Sequence, residues 1–312
     1  MTARPALHLV DASIYVFRAW FSLPDSLSDA DGWPSNAVHG FTRTLLDLLE
    51  SERPQHIAVA FDEALESSFR NQLHPPYKAN REPAPDELKR QFAHCKAVCS
   101  ALGLSGLADG GFEADDLIGS AQQAGRAHGL RAIVISADKD LSQLLTGPGD
   151  EQFDIGRQRW DAHGVKARHG VHPEQIADYL ALAGDASDNI PGVPGIGSRT
   201  AAALLSHFGS LDALLERRSE VAQLRLRGAA RVARALDEHA EAARLYRELT
   251  TIACHAPLAE AAPFARRQGD PEAITRLATH LRFGPETRRR LLDACVPAGA
   301  AAVSSTATTI GA

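Results

Sequence analysis

Three short apolar runs constrain the fold of this chain more than any other feature: Leu7-His8-Leu9-Val10, Ile57-Ala58-Val59-Ala60-Phe61 and Ala132-Ile133-Val134-Ile135. Each has the length of a buried strand and is too short for a helix. Each is also followed by acid, respectively Asp11, Asp62, and the pair Asp138 and Asp140. Apolar residues at helical spacing fill the intervals, over Ile14 to Phe21, Phe41 to Arg53, Glu87 to Leu102 and Glu113 to His128. Buried strands alternating with helices predict the α/β class, a parallel sheet with helices on both faces. Ligands of such sheets gather outside the carboxyl ends of the strands, and those four acids all fall there.

Gly111-Phe112-Glu113-Ala114-Asp115-Asp116 adds three carboxylates within four residues. They repel one another, and the nearest basic residues in sequence are Lys96 and Arg126. Alone, such a cluster reads equally as an acidic helix start, which the helix dipole favours, or as ligands for a hard divalent cation such as Mg²⁺ or Mn²⁺. The rest of the chain shifts that balance. Asp11, Asp62, Glu113, Asp115 and Asp116 form one set of acids, and Asp138, Asp140, Asp185 and Asp188 a second. Two sets suit two or more metals, and a pair of divalent ions about 3.5–4 Å apart activates water and stabilises the leaving oxygen of a phosphodiester.

Net charge does not decide the partner. The chain of 312 residues carries −6, which by itself disfavours nucleic acid. Setting aside the nine carboxylates named above leaves 30 acids against 33 bases. The four cysteines, Cys95, Cys99, Cys254 and Cys295, show no CxxC pairing, so neither a zinc ribbon nor a disulfide framework is expected. Without an apolar run near ~18 residues or a signal-peptide core at its start, the chain is expected to be cytoplasmic and not to engage a membrane.

Residues 63 to 87 carry Arg70, His74, Lys78 and Arg81 among four prolines, with few apolar anchors, and predict an exposed excursion. Lys78 and Arg81 would share a face if that segment were helical. From about residue 161 the pattern is mainly helical. It includes Gly192-Val193-Pro194-Gly195-Ile196-Gly197 directly before Ser198-Arg199-Thr200. Glycines opening a helix allow close backbone approach to an anion, and the helix start offers free N–H donors.

Read together and in order, FD at 61–62, SFR at 68–70, YKANR at 77–81, EADD at 113–116, ADKD at 137–140 and GDASDNIPGVPGIGSRTA at 184–201 resemble the 5′-to-3′ exonuclease domain of bacterial DNA polymerase I and its stand-alone relatives, in the flap endonuclease superfamily. The resemblance spans about residues 7 to 255. It implies a PIN-like parallel-sheet nuclease core over 1–160, a helical arch at 63–90, a helix-three-turn-helix DNA-binding region within 161–295, and a disordered tail over 296–312. It implies that the first acid set holds one Mg²⁺ or Mn²⁺ and the second surrounds another. It makes Lys78, Arg81 and Asp116 catalytic. DNA contacts would come from Arg18, Arg70, Tyr77, Lys78 and Arg81, and from Gly192, Val193, Gly195, Gly197, Ser198, Arg199 and Thr200 of a hairpin that holds a phosphate through a monovalent cation such as K⁺.

The activity so implied is metal-dependent hydrolysis of DNA phosphodiesters at 5′ ends, overhangs and flaps, by a monomer, in replication or repair. A catalytically silent DNA-structure-binding protein of the same fold and a PIN-type ribonuclease are the alternatives. Ala12 departs from the Gly that usually follows the first Asp. Neither the helices beyond about residue 255 nor the balance of exonuclease and endonuclease action is assigned.

Overall fold

The computed structural model describes residues 4–63, 67–259 and 262–297. At its centre is a parallel sheet of β1 (Ala6–Asp11), β2 (His56–Ala60), β3 (Ser105–Leu107), β4 (Arg131–Ile135) and β5 (Glu151–Phe153). The spatial order is β3-β2-β1-β4-β5. Helices α1 (Ala12–Ser22), α2 (Asn36–Glu52), α3 (Phe69–Leu73), α4 (Asp86–Ala101) and α5 (Ala114–Ala127) are interleaved with the strands. Later come α6 (Ala162–His169), α7 (Ile176–Ala183), α8 (Ser198–Phe208), α9 (Leu211–Glu216), α10 (Ala229–Glu238) and α11 (Ala240–Thr250), then α12 (Pro271–His280) and α13 (Pro285–Ala294). None of the described helices is long and apolar enough to cross a membrane.

Strand alternation divides the core in two, because successive side chains point to opposite faces. Leu7, Leu9, Ala58, Ala60, Ala132 and Val134 face α5 and the helices after residue 170. Val10, Ile57, Val59, Ile133 and Ile135 face α1, α2 and α4. The α5 side is built for close approach: a Cβ added at Gly125 would lie 2.7 Å from Leu7 Cδ2. The expected strands and helices of the sheet form within a residue or two of their predicted ends, except that α2 begins at Asn36, five residues before the Phe41 from which its pattern is read. β3 and β5 were not expected. Each has three residues at a sheet edge, too few for a period of two to show.

One open placement is filled and one expectation changes. The last helices do not extend the C-terminal helical region: α12 and α13 return to the first half, where Ile274, Ala278, Leu281 and Leu291 join the cluster beneath α2 and α4. The arch segment is also not a loose excursion. Residues 64–66 of the expected arch and 298–312 of the expected tail lie outside the described residues. The remainder of the arch segment is the short α3, a run of turns over 74–81 and the start of α4. No helix passes through Lys78 and Arg81, because Lys78 adopts φ +54°. Tyr77, only 2% exposed, anchors the turn against Ile190 and Leu249.

A buried ion pair ties the three parts together. Arg70 from α3, 3% exposed, donates to both carboxylate oxygens of Asp116 at 2.7 and 2.8 Å, and to the carbonyls of Leu249 and Thr251 at 2.8 and 2.9 Å. Asp116, fully buried in the first turn of α5, also accepts from the backbone N–H of Glu113 and of Ala253. Burial alone would lower the Arg70 pKa, but the hydrogen bonds and charge of Asp116 raise it above its ordinary value. The fork-to-fork geometry satisfies the desolvated charges on both sides.

Removing one partner leaves the other charged and buried. Arg70→Ala is expected to lower unfolding free energy by about 3–5 kcal/mol, and Arg70→Met with Asp116→Leu to recover only part of that loss, because the backbone groups of Glu113, Leu249, Thr251 and Ala253 lose their partners. Urea denaturation checks both. A change below about 1 kcal/mol in Arg70→Ala would mean that the pair does not hold the structure together.

Candidate active site

The sheet order reverses at β1, and the acids collect above that crevice. Asp11 closes β1 and caps α1, its Oδ1 accepting from Ile14 N–H at 3.4 Å and its Oδ2 from Ser136 Oγ at 2.8 Å. Asp62 follows β2, with its backbone N–H donating to Ser13 Oγ at 2.9 Å. Glu113 caps α5, and Asp115 lies in that helix's first turn. Beyond β4, the N–H of Asp138 donates to Ser136 Oγ at 3.0 Å and that of Asp140 to Asp138 Oδ1 at 2.9 Å. Strand ends, caps and tight turns thus place the carboxylates by backbone geometry.

Asp11, Asp62, Glu113, Asp115, Asp138, Asp140 and Asp188 line one cavity of about 200 Å³, together with Ser13, Ile14, Phe17, Lys78 and Arg81. Burial and repulsion from Asp138 push the Asp11 carboxyl up to about 6, against the hydrogen bond from Ser136. The same two causes push Asp140 up to about 7, partly offset by Lys139. Asp115 is raised well above the ordinary carboxylate range by burial, Asp138 and Asp11. Asp140 Oδ1 is buried and accepts no hydrogen bond. Crowded, desolvated oxygens of this kind form the donor set that a hard divalent cation requires.

Positive charge rims the cavity on one side. Lys78 Nζ lies 2.9 Å from Glu113 Oε2, and Arg81 donates to Asp188 at 2.8 Å. Burial would lower the Lys78 pKa, but Glu113 and Asp188 raise it, so the ammonium is charged. Tyr77 Oη is 3.1 Å from both Glu113 and Asp188.

Several residues singled out in the sequence stand elsewhere. Asp116 does not line the cavity, because its oxygens are taken by Arg70 and two backbone N–H groups. Arg70 is correspondingly spent on Asp116 and does not present itself to a phosphate. Tyr77 turns inward, against Ile190 and Leu249. Asp185 pairs with Lys139 and accepts from Ser187 N–H at 2.9 Å, holding the 184–190 turn. Arg18 is half-exposed, but its fork grips Asp154 at 2.9 and 3.1 Å. In each case a burial contact made only in three dimensions reassigns a charge that the sequence leaves unpartnered.

The hairpin forms as expected before α8. Gly192 has φ +71°, and a Cβ there would lie 2.4 Å from Gly184 N, so no side chain fits. Val193 and Ile196 are buried and pin the turn, with Val193 N–H on Leu182 O at 2.9 Å. Gly195, with φ +81°, and Gly197, Ser198 and Arg199 are exposed, and Thr200 is half-buried. No side chain caps α8 at Gly197, which leaves first-turn N–H donors for an anion.

Three contributors were not foreseen. Ser13 and Ser136 orient Asp62, Asp11 and Asp138. Arg231 of α10 stands beside Gly195, its guanidinium 3.7–4.0 Å from where a Cβ would be. Ser136 directly after β4 and Ser13 in the first turn after β1 were usable signals. Arg231 had none, being one arginine among many.

Residues 6–170 match the family described as 5'-3' exonuclease, N-terminal resolvase-like domain, and residues 171–272 match 5'-3' exonuclease, C-terminal SAM fold. DNA polymerase I of Mycobacterium tuberculosis is 38% identical over 305 residues, covering 95% of this chain and 32% of that protein. DNA polymerase I of Pseudomonas aeruginosa is 41% identical over 247 residues, covering 79% and 27%. This chain thus spans about a third of the length of the curated relatives it matches. The fold is similar to that of T5 5'-exonuclease solved with zinc ions, with TM-score 0.64 at 22% identity, covering 93% of this chain and all of that one. It is also similar to the catalytic core of Rad2 in complex with DNA substrate, with TM-score 0.62 at 15% identity, covering 94% and 92%. With both family domains matched in order over a cavity of clustered carboxylates, the chain belongs to the 5'-3' exonuclease family.

Proposed function

We propose that the chain is a divalent-metal-dependent 5′-to-3′ exonuclease and 5′-flap endonuclease, acting as a cytoplasmic monomer on duplex DNA with a 5′ end, overhang or flap, in replication or repair. The observation that carries this reading is the cavity in which seven carboxylates from separate strand ends and turns face one another beside Lys78 and Arg81. Asp11, Asp62, Glu113, Asp115, Asp138, Asp140 and Asp188 would hold Mg²⁺ or Mn²⁺, two or more ions in all. When bound, such ions lower the pKa of water and stabilise the charge of attacking and leaving oxygens. Asp185 and Asp116 act one step back, in the 184–190 turn and in the clamp with Arg70.

The chain's own residues orient and neutralise. Lys78 has three donors and gives one to Glu113, which leaves others for a phosphate oxygen. Arg81 brings a second charge to the cavity mouth. Both would stabilise negative charge as it grows on the phosphorus, an effect felt mainly in the transition state. Water attacks phosphorus and the 3′ oxygen departs with a proton, giving a 5′-phosphate and a 3′-hydroxyl. The hairpin from Gly192 to Gly197, with Ser198, Arg199 and Thr200, would hold a backbone phosphate of the duplex, bridged by an ion such as K⁺.

The direct test is a 5′-flap DNA labelled at its 3′ end, incubated with Mg²⁺ or with chelator. Cleavage at the flap junction only with Mg²⁺ is expected, and metal-independent cleavage or none would overturn the reading. Lys78→Ala with Arg81→Ala is expected to slow single-turnover cleavage by on the order of 10²-fold while duplex affinity changes little. Equal losses of rate and affinity would make the two residues binding contacts instead.

Asp140→Asn separates ligand from structural roles. A carboxyl whose folded pKa is raised binds more protons folded than unfolded, so its contribution to stability falls as pH rises from near 4 through about 7. The chelated variant should therefore melt a few degrees above the parent at pH 8, with the difference fading towards pH 4. With Mg²⁺ present, its cleavage should fall by about 10²-fold or more. Thermal melts across pH and the flap assay read the two effects, and lower stability at pH 8 without metal would refute the crowding argument.

Duplex binding through the hairpin should weaken steeply with salt and vary little with base sequence. Gly195→Val should reduce it, because a β-branched residue resists φ +81°. Fluorescence anisotropy on two unrelated duplexes checks this, and unchanged affinity in the variant would remove the hairpin from the interface.

A further inference from the structure

A second cluster of metal-ligating side chains lies outside the carboxylate cavity. Asp29 in the connection between α1 and α2, His94 on α4 and His280 at the end of α12 offer ligand atoms that all lie within 4.8 Å of one another. None of the three lines the cavity described above. His280 Nε2 is 3.6 Å from Asp29 Oδ2, close to the roughly 3.3 Å that separates two ligands on one tetrahedral ion with bonds of about 2.0 Å. His94 Nε2 is buried and has no hydrogen-bond partner. An imidazole nitrogen left bare beside a second imidazole and a carboxylate is costly without a ligand.

The backbone preorganises the arrangement. Asp29 is 1% exposed, and its Oδ1 accepts from the N–H groups of Asp31 and Trp33 at 3.0 and 2.9 Å, which leaves Oδ2 facing the histidines. Ala30 N–H donates to His280 O at 2.7 Å, tying the connection to α12. Burial would raise the Asp29 carboxyl, but those two N–H groups and Arg90 hold it low, so it is anionic. Burial, His280 and Arg90 push His94 down, so it is neutral, the form that ligates.

We propose that Asp29, His94 and His280 form a binding site for a transition-metal ion of the zinc class, which clamps α12 and the α1–α2 connection onto α4. Two imidazoles with one carboxylate select Zn²⁺ or Co²⁺ over Mg²⁺, because nitrogen donors suit the softer ions. His280 is one-third exposed, which gives the ion a way in and leaves a fourth position for water. The resident competitor is Arg90, whose guanidinium lies 3.3 Å from Asp29 Oδ2 and 2.8 Å from Asp31. Arg90 holds the carboxylate while the ion is absent and turns to Asp31 when it binds.

The test uses the full chain, stripped with chelator and titrated with Co²⁺ in the presence of excess Mg²⁺, which occupies oxygen-only sites. A visible absorption band of a nitrogen-ligated tetrahedral site is expected, displaced by Zn²⁺ and not by Mg²⁺. His94→Ala and His280→Ala should each weaken Zn²⁺ binding at least about tenfold and abolish the rise in melting temperature that Zn²⁺ produces in the parent. Arg90→Met should tighten Zn²⁺ binding several-fold, the opposite sign, so the proposal remains testable even if a histidine variant fails to fold. A Co²⁺ spectrum unchanged by the histidine substitutions, complete displacement by Mg²⁺, or weaker Zn²⁺ binding in Arg90→Met would overturn the site and leave a hydrogen-bonded cluster.

Discussion

The pairing of Arg70 with Asp116 is the interaction on which the rest of the structure depends. It closes three chain segments on one another: the short α3, the start of α5, and the end of α11 with the stretch that follows it, through Leu249, Thr251 and Ala253. A buried pair of this kind contributes little by itself, because desolvation offsets its Coulomb attraction. Its consequence is positional. With Asp116 held by Arg70, the first turn of α5 is oriented so that Glu113 and Asp115 face the crevice above β1, and α3 is held so that Tyr77, Lys78 and Arg81 follow in place.

Around that anchor, the crevice concentrates negative charge where the fold can least solvate it. Burial and mutual repulsion raise Asp11, Asp115 and Asp140 together, and Lys78 and Arg81 compensate only at the rim. Crowded carboxylates raised in this way are the donor set that would suit hard divalent cations. The hairpin before α8 works on the opposite principle. There the protein offers an uncapped helix start, whose first-turn N–H groups suit an anion.

The C-terminal helices show how connectivity and packing part company. α6 to α11 pack on the α5 side of the sheet, whereas α12 and α13 return to the other side and complete the cluster beneath α2 and α4. Their amphipathic pattern announces burial without saying against what. The same return brings His280 to His94 and Asp29, a juxtaposition spread over about 250 residues of chain that no local motif records.

Much of the nuclease centre was legible in the chain, because strand ends and helix caps are local events. An apolar run that stops at Asp places that Asp at a carboxyl end, and EADD before a helical pattern places Glu113 at a cap; backbone geometry then does the rest. What only the tertiary structure decided was the partner of each charge. Asp116 and Asp115 are adjacent and chemically identical, yet one faces Arg70 in the interior and the other the crevice, because successive residues on a helix point about 100° apart. Arg18, Arg70 and Tyr77 read as DNA contacts until Asp154, Asp116 and the Glu113–Asp188 pair claim them. The edge strands β3 and β5 stayed hidden because three residues carry no period. Sequence thus determined which chemistry is present and at which ends of which elements, and long-range packing determined which of those groups are free to act.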